Sequence, residues 1–330
     1  MREIMPQQMS GDPDARRHAF GTATISEVAG RRGAWMRTLF LVILLMASCS
    51  SKSNDPQPVV IKQIWYTPAW SPDGREIACA ITRIDHSNER GSFVSILDAA
   101  TGEVRREHPL DFPPPFAFSW TPDGAWLLFG ASPGIFKLSS HLDSLVQLTS
   151  GEAHTHPSFS KARNIVFFSV NDARLGGLYS VTLSGDSLRR WSTQDTHVLW
   201  TSAFPDESDS LIGYDAMRSP YRLIVFSPEA IGSALFLGGE SHGGGTAHIS
   251  PDHRFVAYNR NVIIDEIGNL VLLDRSTDSS WGITPLLTSE MSFSPDGRKL
   301  VYPILAGKEV GLWILDVQTG EQTRLTDGTQ

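Results

Sequence analysis

Residues 292–302 read Ser-Phe-Ser-Pro-Asp-Gly-Arg-Lys-Leu-Val-Tyr, a strand, a tight turn and a second strand. Pro295 presets φ for the first corner, Asp296 can bond its own backbone, and Gly297 takes a positive φ without a Cβ clash. The stretch is therefore a hairpin, and it recurs. Ser71-Pro72-Asp73-Gly74, Thr121-Pro122-Asp123-Gly124 and Ser250-Pro251-Asp252-His253 repeat it, each between a short strand and an apolar one. Two degenerate copies complete six: Ser158-Phe159-Ser160-Lys161, where Asn164 supplies the left-handed residue, and Phe204-Pro205-Asp206-Glu207, where the turn is lengthened. From Pro72 through Pro122, Lys161, Pro205 and Pro251 to Pro295 the steps are 50, 39, 44, 46 and 44 residues. A period in the forties built only of strands predicts an all-β fold, a six-bladed β-propeller of four-stranded antiparallel blades over residues 59–330.

The segments between the turns fit four strands per repeat. In the first, Ala69-Trp70-Ser71 leads into the turn, Ile77-Ala78-Cys79-Ala80 returns, residues 93–97 form the third strand and Glu103-Val104-Arg105 the outer one. Third strands of the middle repeats are expected at residues 135–138, 178–181, 222–225 and 270–273. Asp98-Ala99-Ala100-Thr101-Gly102 reappears as Asp316-Val317-Gln318-Thr319-Gly320, so the first and last repeats share one punctuation. No segment has the pattern of a long amphipathic helix, and the near-continuous apolar inner strands predict burial on both faces. Residues 59–65 are expected to add a strand that latches the last blade to the first.

On these Ser-Pro-Asp-Gly units the chain resembles the WD-like repeats of TolB-type β-propellers, over about residues 59–330. The resemblance implies a repeat class and not a function, because such blades occur in scaffolds, in enzyme accessory domains and in polysaccharide lyases. TolB-type proteins carry a separate α/β domain before the propeller, for which this sequence is expected to leave no room.

Composition narrows the function classes. In 330 residues, 41% are hydrophobic and 19% charged, as in globular chains. The net charge is -8, and residues 1–48 hold six Arg against four acids, so the remainder is near -10. An acidic chain without a Lys/Arg cluster argues against nucleic acid and against an anionic membrane face as partners. Of two cysteines, Cys79 lies in an interior strand and Cys49 ends an apolar run, so no disulfide is expected.

Residues 1–35 lack periodicity and read as a non-structural extension or a mis-assigned start. Residues 36–48 have a basic start, a short apolar core and small residues before a cleavage point, the pattern of a secretory signal too short to span a bilayer. Ala47-Ser48-Cys49 resembles the bacterial lipobox, which implies that Cys49 is diacylated and becomes the mature N-terminus. Met46 departs from the usual Leu. Ser50 follows where Asp would mark inner-membrane retention, so an outer-membrane destination is favoured. Residues 49–58 then form the lipidated Cys and a Ser/Pro/Asn tether.

Signatures of catalysis are few. No Gly-x-Ser-x-Gly elbow, His-Glu-x-x-His or P-loop is present; Gly243-Gly244-Gly245 lacks the Lys that follows a phosphate-binding loop. His154, His156, His197, His242 and His248 precede inner strands of consecutive blades, at one mouth of the central channel. Imidazoles converging there can bind a divalent metal, as the resemblance to metal-dependent oligogalacturonate lyases with propeller folds suggests. Against this, His156, His248 and His197 stand five, three and eight residues ahead of their turn markers, and spacing fixes no acid beside them. Trp70 and Trp120, two residues before the turn proline, match Phe159, Ile249 and Phe293, a repetition expected of inter-blade burial. Trp65, Trp126, Trp191, Trp200 and Trp281 lie outside that register, where an exposed one would mark a binding face.

The sequence thus predicts a lipid-anchored bacterial cell-envelope propeller that binds envelope proteins, with no cofactor required and nothing demanding catalysis. The alternative is a glycan-binding or polysaccharide lyase-type propeller with a His-lined, metal-binding channel mouth.

Overall fold

The Ser-Pro-Asp-Gly turns close as their chemistry dictates. In the first, Ser71 Oγ donates to Asp73 Oδ1 at 2.6 Å and accepts the Glu76 amide at 3.0 Å, while the Arg75 amide donates to Asp73 Oδ1 at 3.1 Å. Thr121, Ser250 and Ser294 repeat both bonds in their own turns. The left-handed position falls on Gly74, Gly124 and Gly297, and on His253 and Asn164 where glycine is missing. Each such turn joins the inner two strands of a blade.

The computed structural model describes residues 62–84, 90–172, 176–193, 195–217, 220–241, 245–260, 269–286 and 288–328. Residues 1–58, with the signal segment, Cys49 and the tether, lie outside them, as does His242. Blade 1 comprises β1 (Lys62–Trp70), β2 (Glu76–Ile84), β3 (Arg90–Asp98) and β4 (Val104–Leu110). Blade 2 comprises β5 (Phe116–Trp120), β6 (Trp126–Ala131), β7 (Gly134–Ser139) and β8 (Leu145–Gln147). Blade 3 comprises β9 (His154–Ser160), β10 (Ile165–Val170), β11 (Gly177–Val181) and β12 (Arg189–Arg190), and blade 4 β13 (Val198–Ala203), β14 (Leu211–Asp215), β15 (Tyr221–Phe226) and β16 (Leu235–Ser241). Blade 5 comprises β17 (Ala247–Ile249), β18 (Phe255–Asn259), β19 (Leu270–Asp274) and β20 (Ser279–Thr284), and blade 6 β21 (Ser292–Phe293), β22 (Lys299–Ile304), β23 (Gly311–Asp316) and β24 (Gln322–Arg324). Each blade is one antiparallel four-stranded sheet in sequence order, and the inner strands β1, β5, β9, β13, β17 and β21 pack side by side in a closed circle.

Of the latch expected at residues 59–65, residues 59–61 lie outside the described residues, and residues 62–65 belong to β1, which pairs with β2 and not with blade 6. The ring closes by packing: Trp65, Trp70, Ile77 and Ile81 of blade 1 bury against Val301 and Leu312 of blade 6, and the Trp70 amide donates to Ser292 Oγ at 3.1 Å. Fully burying such side chains contributes about 1.5–3 kcal/mol each, enough to hold a seam without a shared strand. Cys79 is fully buried and free within this core, and burial pushes its thiol up. The outer punctuation is also as expected: Asp98 Oδ1 accepts the amides of Ala100 and Thr101, Asp316 Oδ1 those of Gln318 and Thr319.

Candidate functional site

Each inner strand runs down the channel into its turn, so residues at equal distance from the turn form rings. The ring two residues before the turn markers holds Trp70, Trp120, Phe159, Ala203, Ile249 and Phe293, and Phe204 adds a ring system beside Ala203. Trp70, Trp120, Phe204, Ile249 and Phe293 are buried, as inter-blade packing requires, yet their edges line a channel mouth of about 400 Å³. Pro72, Pro122, Pro205, Pro251 and Pro295 rim that mouth, and Lys161 takes the sixth place. A Cβ on Gly74 would meet Pro295 at 3.6 Å, one on Gly124 would meet Pro72 at 3.8 Å and one on Gly297 would meet Pro251 at 3.5 Å, so these three turns lean on the proline of the preceding blade.

One residue deeper lie Ala69, Ser119, Ser158, Ser202, His248 and Ser292. Three of the four serines reach the next blade's backbone: Ser119 Oγ accepts the Phe159 amide at 3.4 Å, Ser158 Oγ the Ala203 amide at 2.8 Å and Ser292 Oγ the Trp70 amide at 3.1 Å. Two residues deeper again the ring is Thr67, Ala117, His156, Trp200, Thr246 and Glu290. In blades 1 to 4 this position sits on a β-bulge in a left-handed conformation, with φ of 48° at Thr67, 47° at Ala117, 54° at His156 and 51° at Trp200. A bulge re-aims the side chain it carries, and here five of the six ring residues close around a cavity of about 20 Å³ that forms the floor of the mouth.

Glu290 organises that floor. Its carboxylate accepts from His156 Nε2 at 2.9 Å and from His248 Nε2 at 3.5 Å, joining blades 6, 3 and 5. The residue is 8% exposed. Burial works against its charge, but His156 and then His248 outweigh it by charge and hydrogen bonding and lower the carboxyl to about 2. His248 Nδ1 lies 3.3 Å from Ser202 Oγ. Thr201 Oγ1, Thr246 Oγ1 and His156 Nδ1 are buried around the same cavity and find no hydrogen-bond partner among the described residues.

The five histidines singled out by sequence therefore separate. His156 and His248 meet at Glu290. His154 instead hydrogen-bonds Thr149 Oγ1 at 2.8 Å and packs on Phe168, and burial lowers its pKa. His197, just before β13, is lowered by burial and then by Arg190. Among the described residues no group of three or more His, Cys, Asp or Glu is disposed to hold a metal ion. Sequence reading missed Glu290, although it stands five residues before Pro295 as His156 stands five before Lys161. It also missed His253, which takes the glycine place in its turn, meets Asp206 Oδ2 of blade 4 at 3.1 Å and lies edge-on to Phe204. Of the tryptophans outside the register, Trp65 and Trp200 are buried and Trp281 is exposed on β20.

No family model matches the chain, and no curated protein matches it. Solved structures do. TolB from Acinetobacter baumannii aligns with a TM-score of 0.56 at 18% identity over 79% of this chain and 62% of that one, so this chain spans less than two thirds of that TolB. A TolB candidate from Agrobacterium tumefaciens aligns with a TM-score of 0.52 at 15% identity, over 71% of this chain and 87% of that one. A chain of a nidogen/laminin complex aligns with a TM-score of 0.54 at 8% identity, over 80% and 92%. Six antiparallel blades, Ser-Pro-Asp-Gly turns and these alignments together give the described residues the fold of a TolB-like β-propeller.

Proposed function

We propose that this chain is a protein-binding scaffold of the bacterial envelope, gripping an extended segment of another envelope protein in the channel mouth on the turn face. The mouth is the observation that carries the reading. Aromatic and proline side chains surround about 400 Å³, wide enough for a chain segment, while the His156–Glu290–His248 floor stops it within the ring. Rigid aromatic walls supply contact area at low entropic cost, and the serine hydroxyls that bond neighbouring blades stiffen the wall. The lipobox-like Cys49 supports an envelope site tethered by lipid, with Ser50 favouring the outer membrane. The segments described include no helix long and apolar enough to cross a membrane.

The alternative, a glycan-directed propeller with a divalent metal, would draw on His156, His248 and Glu290 as nitrogen and oxygen donors in the same channel. A photo-crosslinking residue at Lys161, compared with one at Thr323 on the outer strand β24, tests the scaffold in intact cells. A discrete protein adduct from Lys161 and none from Thr323 is expected. Adducts from both positions alike, or from Thr323 alone, would refute a mouth-centred scaffold.

A further inference from the structure

The floor of the mouth has a chemistry that the aromatic collar lacks. Its cavity of about 20 Å³ is lined by Glu290, Thr201, Thr246, His156 and His248, and it shares Phe118, Ser158, Ser202 and His248 with the mouth above it. That volume suits a head group the size of one water molecule. The threonine hydroxyls are buried, Thr201 to 3% and Thr246 to 4% exposure, and neither has a hydrogen-bond partner among the described residues. Buried polar groups are ordinarily paired, so two orphan hydroxyls lining one cavity with a carboxylate mark a place for a polar group, and a donor satisfies all three. A primary ammonium has three N–H donors and no acceptor. Glu290, Thr201 and Thr246 bring one carboxylate and two hydroxyls to this cavity, where His156 and His248 also face the carboxylate and donate to it.

We infer that the channel floor is a subsite for a primary ammonium, the tip of a lysine side chain carried by the segment that enters the mouth. The inference rests on the protein-binding reading and adds the chemistry of the occupant's tip. A guanidinium, with three nitrogens in a plane, is too broad for the cavity, and a carboxylate tip would face Glu290. The apolar collar takes the methylene stem that such a tip trails behind it.

The test uses the purified protein and n-butylammonium as probe, with n-butanol and n-butylguanidinium as controls, read by tryptophan fluorescence and by histidine side-chain NMR. Saturable binding of butylammonium that perturbs His156 and His248 is expected, with both controls about ten-fold weaker or more. Thr246→Val and Thr201→Val each weaken it about ten-fold, the loss of one hydrogen bond to a charged group. Both variants should keep the parent melting temperature, because the hydroxyls removed bond nothing in the fold. Equal binding of butanol and butylammonium, undiminished affinity in both threonine variants, or Zn²⁺ or Mn²⁺ displacing the probe at Glu290 would overturn the ammonium subsite. The scaffold is judged separately: a Lys161 cross-link that persists in Thr246→Val while butylammonium fails to bind leaves the scaffold standing and removes only the subsite.

Discussion

Replacing Glu290 with Gln keeps the shape of the channel floor and removes its charge, which makes the contribution of that charge measurable. The carboxyl moves from an ordinary 4.5 to about 2 in the folded protein, and at about 1.4 kcal/mol for each pH unit this corresponds to about 3 kcal/mol of stability. The folded value is the lower one, so the contribution is fully present above pH 4.5 and is lost as pH falls toward 2. Denaturant unfolding of both proteins at a series of pH values reads it directly. The wild type should exceed Glu290→Gln by about 3 kcal/mol at pH 6.5 and by about half of that at pH 3. Domain stabilities are commonly about 5–15 kcal/mol, so the difference is well above the error of the method. A gap of the same size at both pH values would mean that the substitution acts by packing, and a gap below about 0.5 kcal/mol at pH 6.5 would mean that the imidazoles do not hold the carboxylate.

Ser294→Ala removes a donor to Asp296 and an acceptor for the Lys299 amide and should cost about 1–2 kcal/mol in thermal unfolding, whereas Ser294→Thr, which repeats the Thr121 arrangement, should not. Gly297→Val forces a side chain into φ +70° against Pro251, with an expected loss of about 1–3 kcal/mol; unchanged melting would contradict the turn. Gly102→Ala sets a Cβ against the Leu325 carbonyl of blade 6 at φ +73°. It should destabilise by about 3 kcal/mol and raise hydrogen exchange in β1 and β22. Cys49→Ser is expected to leave far-ultraviolet circular dichroism unchanged and release the protein from membrane fractions; a protein still membrane-bound and lipid-labelled would refute the anchor.

Most of the blade plan was legible because turn chemistry is local. A proline at the first corner and an Asp two residues after a Ser or Thr identify a hairpin without knowledge of its neighbours, and the degenerate third turn was still readable from Asn164, whose φ is 55°. The leading Ser or Thr drew less notice than the Pro, Asp and Gly, although its hydroxyl makes two of the bonds that close each turn. The floor was harder to read. His156 and Glu290 share a register, but His248 stands two residues nearer its turn, and only the circle of blades brings blades 3, 5 and 6 to one point. The bulge that aims His156 inward has no signature in a segment reading His-Thr-His-Pro. Of the latch expected at residues 59–65, the described part, residues 62–65, begins β1.

That seam gives the ring something like the cut in a split washer. Five of the junctions between blades are crossed by the chain itself, but among the described residues blade 1 meets blade 6 through side chains and the Trp70 amide bonded to Ser292, with no strand ladder across the gap. Opening it would leave the backbone pairing within either blade intact but would expose the buried side chains of the seam, Trp65, Trp70, Ile77, Ile81, Val301 and Leu312 among them, at about 1.5–3 kcal/mol each. The strength of the closed ring at this junction is therefore set by side-chain burial and not by the continuity of the chain.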